Sequence, residues 1–156
     1  MLQFVFADKK HIDLYYNWAN DQAVRLNSYN SQPIDYEAHC SWFLNNLIDK
    51  NNFFYLFQNE YKEFVGQVRI EMNKPEKGNA LIGLSIDVNF RGQGLANQII
   101  KLASEDFLQK FPHYIIIAYV LEGNISSFKA FIKAGFSKID NINIQGKASY
   151  VLNKSI

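Results

Sequence analysis

The sequence predicts an α/β fold in which one mixed, mostly antiparallel sheet is flanked by helices. Three observations carry this. Short runs rich in β-branched and aromatic residues, such as Phe53–Phe57 and Glu63–Ile70, alternate with segments whose apolar residues recur at helical spacing. A strand at Ala80–Val88 runs through a glycine turn into a segment with Ala96, Ile99, Ile100, Ala103 and Phe107 on one helical face, and then into the apolar run Tyr114–Val120. That succession is a crossover between roughly parallel strands, expected to be right-handed. Finally, 156 residues without repeat, low-complexity tract or linker fit a single domain over residues 1–156.

Leu2–Phe6 reads as the first strand, ended by Asp8, an N-cap for a helix that turns Leu14 and Trp18 inward. Asn20–Pro33 is polar and irregular and is expected to be a loop. Asp35 caps a second helix, with Tyr36, Cys40, Phe43, Leu44, Leu47 and Ile48 on its apolar face and His39, Trp42 and Asn46 beside it. On that reading Cys40 is core. Phe53–Phe57 and Glu63–Ile70 form an antiparallel hairpin, followed by Ala80–Val88, a helix fading at Phe111-Pro112, and Tyr114–Val120, an apolar strand covered on both faces. Asn124 caps the next helix, which turns Phe128, Phe131 and Ile132 inward and stops at Gly135. Phe136–Ile139 and Lys147–Leu152 complete the sheet.

Sixteen basic and fifteen acidic residues leave a formal net charge of +1, so nothing draws the chain generally to nucleic acid or an anionic membrane. The single cysteine excludes an internal disulfide, and no Cys/His spacing suits a metal. The start, Met1-Leu2-Gln3-Phe4-Val5-Phe6, lacks the features of a signal peptide, and no apolar run spans a bilayer. These features together predict a cytoplasmic protein.

The stretch that organises the chain is Ile86-Asp87-Val88-Asn89-Phe90-Arg91-Gly92-Gln93-Gly94-Leu95-Ala96. First-turn amides, backed by the positive end of a helix dipole, suit a phosphate. Gly92 and Gly94 let the backbone approach such a ligand, although a tight strand-to-helix turn would also use them. Arg91-Gly92-Gln93-Gly94-Leu95-Ala96 resembles the signature (Gln/Arg)-x-x-Gly-x-(Gly/Ala) of the GCN5-related N-acetyltransferases (GNAT). Asn124–Phe136, ending Lys133-Ala134-Gly135-Phe136, resembles that family's next helix and strand.

The resemblance implies the order βααβββαβαββ, a six- to seven-stranded sheet with about four helices, and acetyl-coenzyme A as cosubstrate without a metal. It implies that the backbone near Ile86 and Val88 holds pantetheine, that an amide at Ile86 supports the oxyanion, and that the amides of Gly92, Gln93, Gly94, Leu95 and Ala96 behind Arg91 take the pyrophosphate. Asn124, Ser127 and Phe131 belong to the same coenzyme site. Phe131 stands where many members carry a tyrosine acid, which leaves Tyr119 and Ser127 as alternative donors. His39, whose reference pKa is about 6.5, Glu71 and Asp87 are the candidate bases.

The front of the chain, with Arg25, Asn27, His39, Trp42, Gln67 and Arg69, is similar to acetyltransferases of nucleotide-linked amino sugars, including the pseudaminic-acid type. Arginines could pair with a diphosphate, and Asn27, His39 and Gln67 with sugar hydroxyls. The expected activity is acetyl transfer to such a sugar's amine, in a protein that could act as a homodimer. A peptide N-terminus as acceptor, or a non-catalytic acyl-coenzyme A module, are the competing expectations.

Overall fold

The computed structural model describes all residues, Met1–Ile156. The strands are β1 (Gln3–Phe6), β2 (Asn52–Gln58), β3 (Phe64–Met72), β4 (Asn79–Ile86), β5 (Ile115–Leu121), β6 (Ser137–Ile144) and β7 (Lys147–Lys154). The helices are α1 (Ile12–Ala19), α2 (Gln22–Leu26), α3 (Tyr36–Leu47), α4 (Leu95–Lys110) and α5 (Ile125–Lys133). One seven-stranded sheet runs β1-β2-β3-β4-β5-β7-β6. Every neighbouring pair is antiparallel except β4 and β5, the pair joined by the α4 crossover.

The pleat sorts side chains into two layers. Tyr55, Phe57, Val68, Ile70, Ala80, Ile82, Ile116, Ala118 and Val120 face α4 and α5, which contribute Ile99, Ile100, Ala103, Phe107 and Phe131. Each large side chain sealed there stabilises the fold by about 2 kcal/mol. On the opposite face α1 and α3 close a smaller aromatic core of Tyr15, Trp18, Phe43, Phe54 and Leu56.

Several sequence expectations are corrected. Asp21 accepts from the amides of Ala23 and Val24, so the expected loop holds the short helix α2. The turn at Lys9–His11 precedes α1, and His11 is buried against Phe64 while its Nδ1 accepts from the Asp8 amide. α3 is rotated from its expected face: His39 and Phe43 are buried, Cys40 is half-buried, and Leu44, Ile48 and Tyr36 are exposed. The aromatic cluster sets that rotation, because Phe43 meets Tyr15 and Phe54 at centroid distances of 4.9 and 5.6 Å. On α5, Ala130 and Phe131 point inward while Ile132 is exposed. β4 ends at Ile86, two residues early, and Val88–Phe90 forms a 3-10 turn capped by Asp87.

Candidate active site

Parallel pairing between β4 and β5 covers only Asn79↔Ile115, Ala80↔Ile116 and Leu81↔Ile117. Beyond Leu81 the strands part. The Asp87 amide donates to Val65 O on β3 at 2.8 Å, so strand alternation turns the amides of Leu84 and Ile86 the other way, into the opening. Gly66 makes the adjoining β3–β4 contact possible, because a Cβ there would lie 2.6 Å from Ser85 O.

The opening widens into a cavity of about 550 Å³ running from Leu84, Ser85 and Ile86, past Phe90 and Arg91, to the N-termini of α4 and α5. Gly92 and Gly94 adopt φ of +76° and +72°, a region few side chains tolerate. Left-handed Gly94 opens α4, and the amides of Gly92, Gln93, Gly94, Leu95 and Ala96 bond to nothing within the chain. They form a concave set of donors. Across the cavity Asn124 caps α5 through the Ser127 amide at 3.4 Å. The charged groups of the lining are Arg91, Lys129 and Lys133, all cationic.

Arg91 itself is committed inward. Its Nε donates to Ile86 O at 3.0 Å and its Nη2 to Asp21 Oδ2 at 2.8 Å. One side chain thus ties the end of β4, the turn and the cap of α2 together. Burial works to raise the Asp21 carboxyl, but the hydrogen bonds from Arg91 and the Val24 and Ala23 amides outweigh it and hold the pKa below the ordinary carboxylate value. Asp87 is engaged too, accepting from Trp18 Nε1 at 2.8 Å and from the Asn89 amide at 2.9 Å.

The acetyltransferase (GNAT) domain family model matches residues 2–137. The chain belongs to the GNAT family. It is an N-acetyltransferase that draws its acyl group from a coenzyme A thioester, acetyl-coenzyme A, as cosubstrate. No curated protein sequence matches it significantly. Among solved structures, the spermidine N-acetyltransferase of Vibrio cholerae, in complex with CoA and spermine, is similar in fold, with a TM-score of 0.86 at 14% identity over 98% of this chain and 94% of that one. An aminoglycoside acetyltransferase, AAC(6')-Ib, in complex with coenzyme A, gives a TM-score of 0.82 at 13% identity over 99% of this chain and 95% of that one.

Against this GNAT frame the expected site residues divide. Asn27, Ile86, Arg91, Gly92, Gly94, Leu95, Ala96, Asn124 and Ser127 line the cleft. Val88 lies on the 3-10 turn, 60% exposed, and outside the cleft. The Gln93 side chain is exposed and also outside it, leaving only its amide on the donor side. Phe131 is buried in the core, its ring 5.0 Å from Phe136. It stiffens α5 rather than touching the cleft.

The candidate bases each hold a partner within the chain. His39 is 3% exposed, stacks on Phe43, and its Nε2 lies 2.9 Å from Ile12 O, so that nitrogen carries a proton and donates it. Buried Glu71 pairs with Lys74 at 3.0 Å and Arg69 at 3.5 Å. Arg25 spends its guanidinium on Ala19 O, Asn30 O, Gln32 O and Ser28 Oγ, bracing the loop after α2 and leaving no fork for a ligand. Trp42 lies against Arg69, and Gln67 Nε2 donates to Ser85 Oγ at 3.0 Å.

Sequence reasoning missed Lys129, Lys133, Ser85 and Ser28 as lining residues. A signal existed for the lysines, since four residues apart they share one helical face. None existed for the Arg91–Asp21 bond, which spans 70 residues.

Proposed function

We propose that the β4–β5 opening holds the pantetheine arm of acetyl-coenzyme A, and that the acetyl group passes to the primary amine of a small hydroxyl-bearing acceptor of the nucleotide-linked amino-sugar class. The observation that carries the donor half is the parting of β4 from β5 after three paired residues, with unbonded amides at both ends of the gap. The amides of Gly92–Ala96 take the pyrophosphate, and Lys129 and Lys133 supply countercharge to the phosphates around them. The Ile86 amide donates to the thioester carbonyl and strengthens its hold as that oxygen becomes an oxyanion.

The acceptor reaches the carbonyl from the α1–α3 face, where Ser85, Asn27 and Ser28 line the cavity. Its nitrogen forms the N–C bond, the C–S bond breaks, and the nitrogen's proton leaves to solvent. With His39 and Glu71 occupied, the fraction of amine already neutral sets the rate, and catalysis rests on placement. The coenzyme thiolate, of reference pKa about 8.5, is a tolerable leaving group. Tyr119 on β5 suits hydrogen-bond donation to it, because burial, with Tyr29 and Glu76, raises its phenol pKa and keeps it protonated.

The solved neighbours carry spermine or an aminoglycoside in their complexes. Here Asp21 and Glu71 are ion-paired within the chain and Asp87 is hydrogen-bonded to Trp18, which favours a hydroxyl-rich acceptor over a polycation. A melting shift with acetyl-coenzyme A, followed by thiol release on a panel of nucleotide-linked amino sugars, polyamines and peptides, tests both halves. Release with polyamines alone would refute the acceptor class.

A further inference from the structure

The register places residues in rows across the α1–α3 face of the sheet. One row runs Phe54, Arg69, Gly83 and then, across the opening, Tyr119 and Val151. The next, nearer the signature turn, runs Leu56, Gln67 and Ser85. Mid-strand Gly83 is exposed, and a Cβ built on it meets nothing within 4 Å. The sheet therefore has a bare patch one row from Ser85, with Arg69 on one flank and Tyr119 across the gap.

The chain has three arginines, and they differ in what they hold. Arg25 makes four hydrogen bonds and Arg91 two. The Arg69 guanidinium donates none within the chain. It lies over Trp42 and Phe54 at 5.0 and 5.9 Å from the ring centroids, which holds it in place. Glu71, 3.5 Å away, is closer to Lys74 and so shares its charge. The Arg69 side chain is 26% exposed, largely stripped of water yet reachable. A guanidinium carries five donors and no acceptor. Packed against two rings and making no hydrogen bond within the chain, it keeps donors for an oxyanion from outside.

We propose that Arg69 and the bare patch at Gly83 form an acceptor subsite for an anionic oxygen group, a phosphate or a carboxylate, carried by the molecule whose amine reaches Ser85. This rests on the acyl-transfer reading above and narrows its substrate class. Gln67 fixes Ser85 at the edge of this patch through the bond from its Nε2 to Ser85 Oγ at 3.0 Å.

The test is acetyl transfer from acetyl-coenzyme A to glucosamine, glucosamine 1-phosphate, glucosamine 6-phosphate and muramic acid. The proposal expects kcat/KM for at least one anionic sugar to exceed that for glucosamine by about 30-fold or more, equivalent to about 2 kcal/mol. The two phosphates against muramic acid distinguish phosphate from carboxylate. Arg69→Gln should bring that ratio within about threefold of unity through KM, with the acetyl-coenzyme A melting shift kept as the sign of an intact fold. Gly83→Val, a residue suited to a strand, fills the patch beside Arg69, its cross-strand partner, while leaving the guanidinium's charge in place, and should also erase the preference. Transfer without preference for an anionic sugar, transfer to none of the four, or a preference that survives both variants overturns the proposal. Transfer to glucosamine without preference leaves the acyltransferase reading standing, whereas loss of any acetyl-coenzyme A melting shift in the parent protein removes both.

Discussion

The two sides of the β4–β5 opening are built on opposite plans. On the α4–α5 side the free donors are led by the backbone: the amides of Gly92–Ala96 have no partner within the chain, and Lys129 and Lys133 add charge beside them. On the α1–α3 side the polar groups are side chains, and most are spent. Arg25, Asp21, Asp87, His39 and Glu71 all hold other parts of the protein. A donor gripped through main-chain amides imposes little on side-chain identity beyond glycine. An acceptor face assembled from side chains must keep some donors unspent, and here Arg69, which makes no hydrogen bond within the chain and flanks bare Gly83, stands out.

The largest break in this contrast comes from filling the donor side. Gly94→Trp places a ring at a left-handed residue beside the free amides, and calorimetry should show acetyl-coenzyme A affinity falling about a thousandfold, some 4 kcal/mol. His39→Ala attacks the occupied side. Loss of its packing and of the bond to Ile12 O should lower unfolding stability by about 2 kcal/mol in denaturant titration, with turnover per folded molecule unchanged within twofold. A much larger fall in turnover than in folded fraction would restore His39 as a base.

Asp21→Ala removes the α2 cap and the Arg91 anchor and should cost about 1 kcal/mol of stability. Acid should mimic it: the Asp21 pKa is depressed in the folded state, so its contribution is present above the unfolded carboxylate value of about 3.9 and is lost as pH falls through the lower folded value. Urea midpoints at falling pH, compared with Asp21→Ala, read that difference. Lys133→Ala should weaken acetyl-coenzyme A binding about threefold at low salt and less at high salt, because the charge is solvent-exposed. With His39 buried and Asp21 and Glu71 ion-paired, log kcat/KM should rise with pH along the titration of the acceptor amine.

Much of the fold was legible because its signals are local. The α4 face of Ile99, Ile100, Ala103 and Phe107 follows from spacing, and all four are buried. The glycines of the signature turn were readable because positive φ is a property of one residue and its neighbours. The misread rotation of α3 has a different cause. Leu44 and Ile48 are as apolar as Phe43, and only the rings of Tyr15 and Phe54, brought from α1 and β2, select Phe43 and with it His39 for burial. The roles of the arginines were likewise invisible, since a guanidinium is free or spent according to which carbonyls the tertiary fold brings to it.

By itself the sequence determined the strand and helix order, the glycine turn with its unpaired amides, and the family to which the chain belongs. These depend on backbone preference and on periodic apolar positions, which any local stretch carries within itself. Only the tertiary structure decided where β4 and β5 part, which titratable groups are already occupied, and that Arg69 alone among the arginines keeps its donors unused. Those outcomes are set by contacts between residues tens of positions apart, whose geometry no local pattern encodes.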